Sequence, residues 1–231
     1  MRSVRFLLAF VVGAALAVAA APQSVVTPAI SDARGLADFD LDGSGGWKVQ
    51  GPALILLKAG VPGGPIRRPA ALAILKSAPF GDLTFTLEAR STAPVDLAVR
   101  DVLLIFGYQS PSRFYYVHLA AKTDAVHNGI FVVSDADRRR LDEPTSTARL
   151  TDQSWHRLRV ERRVATGSIA VYFDDNPTPM LSATDRTIVA GRVGVGSFDE
   201  TGEFRSLRVQ GTAAGGAPDA GAGERPVSRE D

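Results

Sequence analysis

Residues 102–120 read Val102-Leu103-Leu104-Ile105-Phe106-Gly107-Tyr108-Gln109-Ser110-Pro111-Ser112-Arg113-Phe114-Tyr115-Tyr116-Val117-His118-Leu119-Ala120. Two runs rich in β-branched and aromatic residues flank Ser-Pro-Ser, and the proline supplies a dihedral that a reversal needs, so the stretch predicts a β-hairpin. Outward from it, alternation of period two bounded by Gly, Pro, Asp and Asn recurs at 83–90, 130–134, 155–163, 168–174, 192–198 and 204–210. Weaker candidates lie at 53–58 and 71–75, and Ala165-Thr166-Gly167 makes a second hairpin loop. Helical periodicity is hard to find. This pattern predicts an all-β fold: an antiparallel two-sheet β-sandwich, or jelly roll.

The 231 residues suffice for one such domain. Lys plus Arg number 26 against 25 Asp plus Glu, so no overall charge favours capture of nucleic acid or an anionic membrane. The absence of cysteine removes disulfides, thiolate metal sites and a Cys nucleophile together, leaving stability to packing. At the N-terminus, Arg2 and Arg5 precede an apolar run over 6–18, and Ala17-Val18-Ala19 offers a small-residue cleavage site. That order is the signature of a signal peptide, and the run is too short for an ordinary membrane-crossing helix. The expected organisation is a signal peptide at 1–19, a lead-in at 20–33, the sandwich at 34–211 and a disordered tail at 212–231, in an exported, periplasmic or extracellular protein.

The segments Trp155-His156-Arg157-Leu158-Arg159-Val160, Ile169-Ala170-Val171-Tyr172-Phe173-Asp174-Asp175 and Gly191-Arg192-Val193-Gly194-Val195-Gly196-Ser197-Phe198 follow one another in an order that resembles the concanavalin A-like lectin and glucanase superfamily, in its laminin-G-like and 3-keto-disaccharide-hydrolase-like branches. The resemblance spans residues 36–211 and implies a jelly roll with one concave sheet, where relatives bind or cut carbohydrate. It carries over no catalytic set, because the Glu-x-Asp-x-Glu strand of the glucanase branch is absent.

If residues 110–112 close the hairpin symmetrically, Tyr108 lies opposite Phe114, Phe106 opposite Tyr116 and Leu104 opposite His118, all on one face. The other face, with Leu103, Ile105, Tyr115, Val117 and Leu119, is then the sandwich core, which leaves an aromatic surface suited to the C–H faces and hydroxyl edges of sugar rings. Pairing the strand at 83–90 beside it puts Glu88 and Arg90 on the same face. Glu88, His118 and Tyr116 are then candidates for acid/base work, and Phe106, Tyr108, Phe114 and Arg90 for ligand contact. His127 and Asn128 open the next strand and reach the rim of that face, whereas His156 reads as structural. Arg157 and Arg159, with Arg138, Arg139 and Arg140 in a nearby loop, could neutralise an acidic sugar. No cofactor is required. Calcium is the one candidate, at Asp40, Asp174, Asp175 and Asp199, since some laminin-G-like relatives bind it at loop ends; Asp38–Gly43 lacks the twelfth ligand and flanking helices of an EF-hand.

The expected function is glycan binding on the aromatic face. A glycan-cleaving hydrolase or lyase, and a sandwich that binds protein partners, are the alternatives.

Overall fold

The structure, a computed structural model, describes residues 23–31, 33–61, 63–145, 147 and 149–214. The expected signal segment and most of the expected tail lie outside them. In chain order come β1 (Gln23–Val26), a 3-10 helix (Ala33–Asp38), β2 (Phe39–Gly43), β3 (Gly46–Gln50), β4 (Ala53–Lys58) and β5 (Ala71–Leu75). Then follow β6 (Phe80–Ser91), β7 (Asp101–Ser110), β8 (Arg113–Ala120), β9 (Gly129–Ser134) and β10 (Arg139–Arg140). The last five are β11 (His156–Arg163), β12 (Ser168–Phe173), β13 (Leu181–Thr184), β14 (Arg192–Ser197) and β15 (Gly202–Ala213).

These strands build two antiparallel sheets. One has eight strands in the order β13-β12-β11-β6-β15-β4-β3, with β1 also on β15; the other has seven in the order β10-β9-β8-β7-β14-β5-β2. The expected two-sheet sandwich is therefore what the chain forms. Its core is the alternate residues of facing strands: Phe85, Leu87, Leu158, Val160, Phe204 and Val209 from the eight-stranded sheet meet Leu104, Phe106, Tyr115, Val117, Val132 and Val195 from the other. Burying each such side chain stabilises by about 1.5–3 kcal/mol, so the interleaving fixes which face of every strand points inward.

Two expectations about register are corrected. In the β7–β8 hairpin, Leu103 pairs with His118, Ile105 with Tyr116 and Phe106 with Tyr115, and the ladder shifts between Phe106 and Ser110. Gly107, at φ +61°, is the residue that permits this bulge. Phe106 therefore turns into the core with Leu104, while Leu103 and Ile105 lie on the opposite face with Tyr108. The second correction concerns β6, which pairs with β11 and β15 rather than with β7. β6 and β7 belong to different sheets, so Glu88 and Arg90 lie across the sandwich from His118.

The ordered domain also reaches past its expected ends. Residues Gln23–Val26, expected as lead-in, pair with Val209–Thr212 on the β15 edge that β4 leaves free beyond Arg205. Covering that edge satisfies its backbone groups. No helix among the described residues is long and apolar enough to cross a membrane.

Candidate functional site

The outer face of the seven-stranded sheet carries a second apolar layer: Leu72, Ile74, Leu103, Ile105, Tyr108, Phe114, Tyr116, Phe131, Val133 and Phe198, with Ile66 packed against it. Its rings form a chain of contacts, Tyr108 to Phe114 at 5.8 Å, Phe114 to Tyr116 at 6.1 Å and Tyr116 to Phe131 at 5.1 Å. Expected as an open platform, this layer is interior, with Phe114 and Tyr116 fully buried. The segment before β5 crosses one part of it: Arg68 holds Asp42 with two hydrogen bonds of 3.0 and 3.1 Å, and Asp42 accepts from the Tyr108 hydroxyl at 3.3 Å. The same segment docks on the β9–β10 turn, where the Arg67 N–H donates to Asp137 (2.8 Å) and the Arg138 N–H donates to the Arg67 carbonyl (3.3 Å). Burial pushes the Tyr108 and Tyr116 hydroxyls well above the ordinary phenol range, keeping both protonated.

At one end this layer becomes polar: His118 and Asp101 are buried there, and His127 and Asp124 beside them reach the surface. His118 stacks on Phe198 (5.3 Å, 17°), and its ring centroid lies 5.0 Å from that of His127. The Nε2 of His118 approaches Asp101 Oδ2 to 3.2 Å, but the approach is misaligned and neither ring nitrogen makes a hydrogen bond among the described residues. Asp101 is instead held by the Ser197 hydroxyl and by the Phe198 N–H at 2.8 Å. His127 Nδ1 lies 2.8 Å from Asp124 Oδ1, and this second pair is partly open, with side chains 14% and 29% exposed. Desolvation lowers the His127 pKa, against the pull of Asp124, so neutral imidazole is favoured. Desolvation alone would raise Asp124, yet the Val126 N–H, Lys122 and His127 hold its carboxyl well below the usual range.

The loop bearing these groups is fixed from within. Asn128, expected as a ligand contact, is fully buried and bridges the Ala120 N–H, the Ala120 and Lys122 carbonyls and the Thr123 hydroxyl. Arg140 clamps the Asp124 and Asn128 carbonyls at 2.7 Å each. It passes so close to Gly129 that a Cβ there would meet its Cζ at 2.6 Å, which explains the glycine. Above the layer, the Arg138 guanidinium lies 4.3 Å from the Phe198 centroid and reaches the Tyr116 hydroxyl at 3.4 Å, and Arg67 lies 5.8 Å from the same ring.

The remaining expected residues sit elsewhere. Glu88 accepts from Arg205 Nε at 2.8 Å on the outer face of the eight-stranded sheet, and that hydrogen bond holds its carboxyl below the ordinary range. Arg90 binds Glu203 (2.7 Å), and with Arg205 it brackets the Trp155 ring at 4.8 and 4.1 Å. Arg157 pairs with Asp175 (2.6 Å), and Arg159 pairs with Glu161 over the Tyr172 ring. Arg138, Arg139 and Arg140 belong to the other sheet's edge and are not their neighbours. The four aspartates expected at a calcium site do not converge. Asp40 on β2 binds Arg192, Asp174 binds His156 (2.8 Å) and the Arg157 N–H, Asp175 binds Arg157, and Asp199 is exposed in the β14–β15 turn. Among the described residues no group of three or more His, Asp or Glu is placed to hold a metal.

Sequence reasoning passed over Asp101, Asp124, Phe198 and Arg67, and it placed Arg138 beside Arg157 and Arg159 rather than over Phe198. Asp101 was recoverable, because it lies two residues before Leu103 in a strand that alternates. Arg67 had no signal, since only a long-range loop contact brings it over the sheet.

No family model and no curated protein matches this chain. Solved structures do. The carbohydrate-binding module CBM66 from Bacillus subtilis superposes with a TM-score of 0.53 at 14% identity, covering 74% of this chain and 94% of that one. A winged bean acidic lectin complexed with methyl-α-D-galactose gives 0.53 at 12% identity, covering 82% and 98%. A native glycosidic hydrolase gives 0.50 at 13% identity, covering 86% and 99%. At such identities the likeness is one of fold: the chain is an antiparallel two-sheet sandwich like those of lectins, carbohydrate-binding modules and some glycoside hydrolases.

Proposed function

We propose that this chain is an exported glycan-recognition domain that binds sugar at the polar end of the outer aromatic layer. The observation that carries this is the part-open His127–Asp124 pair where the layer meets solvent, backed by the buried His118 on the Tyr116, Phe131 and Phe198 rings. The part-open His127 imidazole and Asp124 carboxylate match sugar hydroxyls, and the buried His118 and aromatic rings behind them hold them rigidly. The named sugar-binding neighbours of the same fold support the class of ligand. Export rests on the N-terminal order of basic, apolar and small residues, with cleavage after Ala19; N-terminal sequencing of exported protein that began at Met1 would overturn it.

The part-open His127–Asp124 pair, with the buried His118 ring 5.0 Å from that of His127, also favours a second reading, acid/base cleavage of the bound glycan. A polysaccharide panel scored for both binding and new reducing or unsaturated ends decides between them. The binding domain retains its ligand without turnover, and His127→Ala weakens it. Turnover that disappears in His118→Gln with binding retained would establish the enzyme. No binding across the panel would overturn the assignment.

A further inference from the structure

Most arginines around the outer face of the seven-stranded sheet are neutralised in place. Arg68 holds Asp42, Arg113 holds Asp135, Arg139 holds Asp185, Arg140 holds Asp142 and Arg192 holds Asp40. Arg67 and Arg138 differ, since neither side chain pairs with a carboxylate among the described residues. Asp137, in the contact between their loops, accepts from the Arg67 backbone N–H instead. Yet the two guanidiniums converge: both lie over the Phe198 ring, at 5.8 and 4.3 Å, and Arg138 also donates to the buried Tyr116 hydroxyl at 3.4 Å. Two like charges drawn to one spot repel unless an anion stands between them. The Phe198 ring beneath them supplies cation–π attraction but no counter-charge.

We propose that Arg67 and Arg138 form a carboxylate fork for an acidic glycan, the uronate group of a polysaccharide. The inference rests on the glycan-binding reading above and names its substrate class. A guanidinium pair matches the two oxygens of a planar carboxylate, and each N–H donates to it. Arg67 is exposed and Arg138 partly so, which leaves their outer N–H groups open to a chain lying across the surface. His127 and Asp124, on the adjacent loop, then face the hydroxyls of the same or a neighbouring residue.

The test compares the protein's affinity for a panel of polyuronates with its affinity for the same panel after complete methyl esterification, which removes charge and keeps the sugars. Single-stranded DNA of equal charge serves as a control. At least ten-fold tighter binding of one acidic form is expected, together with weakening by salt. Arg67→Gln and Arg138→Gln should each weaken the acidic form at least five-fold more than the esterified one, and Arg67→Lys should restore part of the preference. Equal binding of acid and ester overturns the fork while leaving glycan recognition standing. DNA bound as tightly as the polyuronate overturns it in favour of an unspecific basic patch. If neither these ligands nor any neutral glycan binds, the glycan reading itself falls. Melting curves of the variants establish that each is folded, and the exposed Arg67 substitution decides the matter if Arg138→Gln is not.

Discussion

Phe106 and Tyr115 stack 5.1 Å apart inside the sandwich, while Tyr108, two residues further along the same strand, packs on Phe114 on the outside. Regular alternation would put Phe106 and Tyr108 on one face. Gly107 separates them, and the aromatic layer owes its composition to that one bulge.

Replacing Gly107 by Ala should therefore destabilise the fold. The left-handed backbone costs an L-residue roughly 1–2 kcal/mol, and the new Cβ would press on Tyr115 at 3.1 Å and Ile188 at 3.3 Å. Urea denaturation should show a loss of at least that size; an unchanged midpoint would mean that the bulge relaxes freely.

Glu88→Gln should leave glycan binding unaltered, because Glu88 lies on the outer face of the opposite sheet and serves Arg205. The part-exposed ion pair limits the stability change to about 1 kcal/mol or less. Lost binding with stability intact would move the site to the eight-stranded sheet.

His127 gives the protein a defined acid sensitivity. Its folded pKa is depressed below the ordinary histidine value of 6.5, so as pH falls through that value the unfolded chain takes up the proton first. Stability then rises with pH between the folded and unfolded values, and acidification through that window removes it. Melting temperatures followed downward from neutral pH should drop more steeply in the wild type than in His127→Gln, with His118 and His156 common to both. Parallel curves would show that His127 titrates alike in both states.

A chain ended at Gly211 should melt below one ended at Ala214. The three extra residues supply the Thr212 hydroxyl that accepts from the Asp82 N–H (3.1 Å), the Ala213–Phe80 pairing and the Ala214 N–H bond to the Pro79 carbonyl (2.8 Å). Such hydrogen bonds contribute about 1 kcal/mol each, enough to read by differential scanning calorimetry.

The sequence by itself determined the two-layer sandwich and ten of the fifteen strands among the described residues; β1, β2, β3, β10 and β13 are short and were not read from it. Alternation in 83–90, 155–163 and 204–210 is a local signal, and Phe85, Leu87, Leu158 and Val160 point inward as that alternation requires. It also brought His118 and His127 to one end of one face, because they flank a single short connection between β8 and β9.

Tertiary structure decided the rest. Whether β6 lies beside β7 or across from it depends on the long-range pairings of β6 with β11 and β15, which no local pattern encodes, and this placed Glu88 far from His118. The register of the hairpin turned on Gly107, whose permissive backbone allows either regular pairing or a bulge; the choice was made by the space available to Phe106 against Tyr115 in the core. Only the docking of Arg67 and Arg68 over the outer face converted an aromatic surface into a buried layer with a charged rim, since contacts between residues as distant in sequence as 67 and 137 arise from packing and leave no periodic trace.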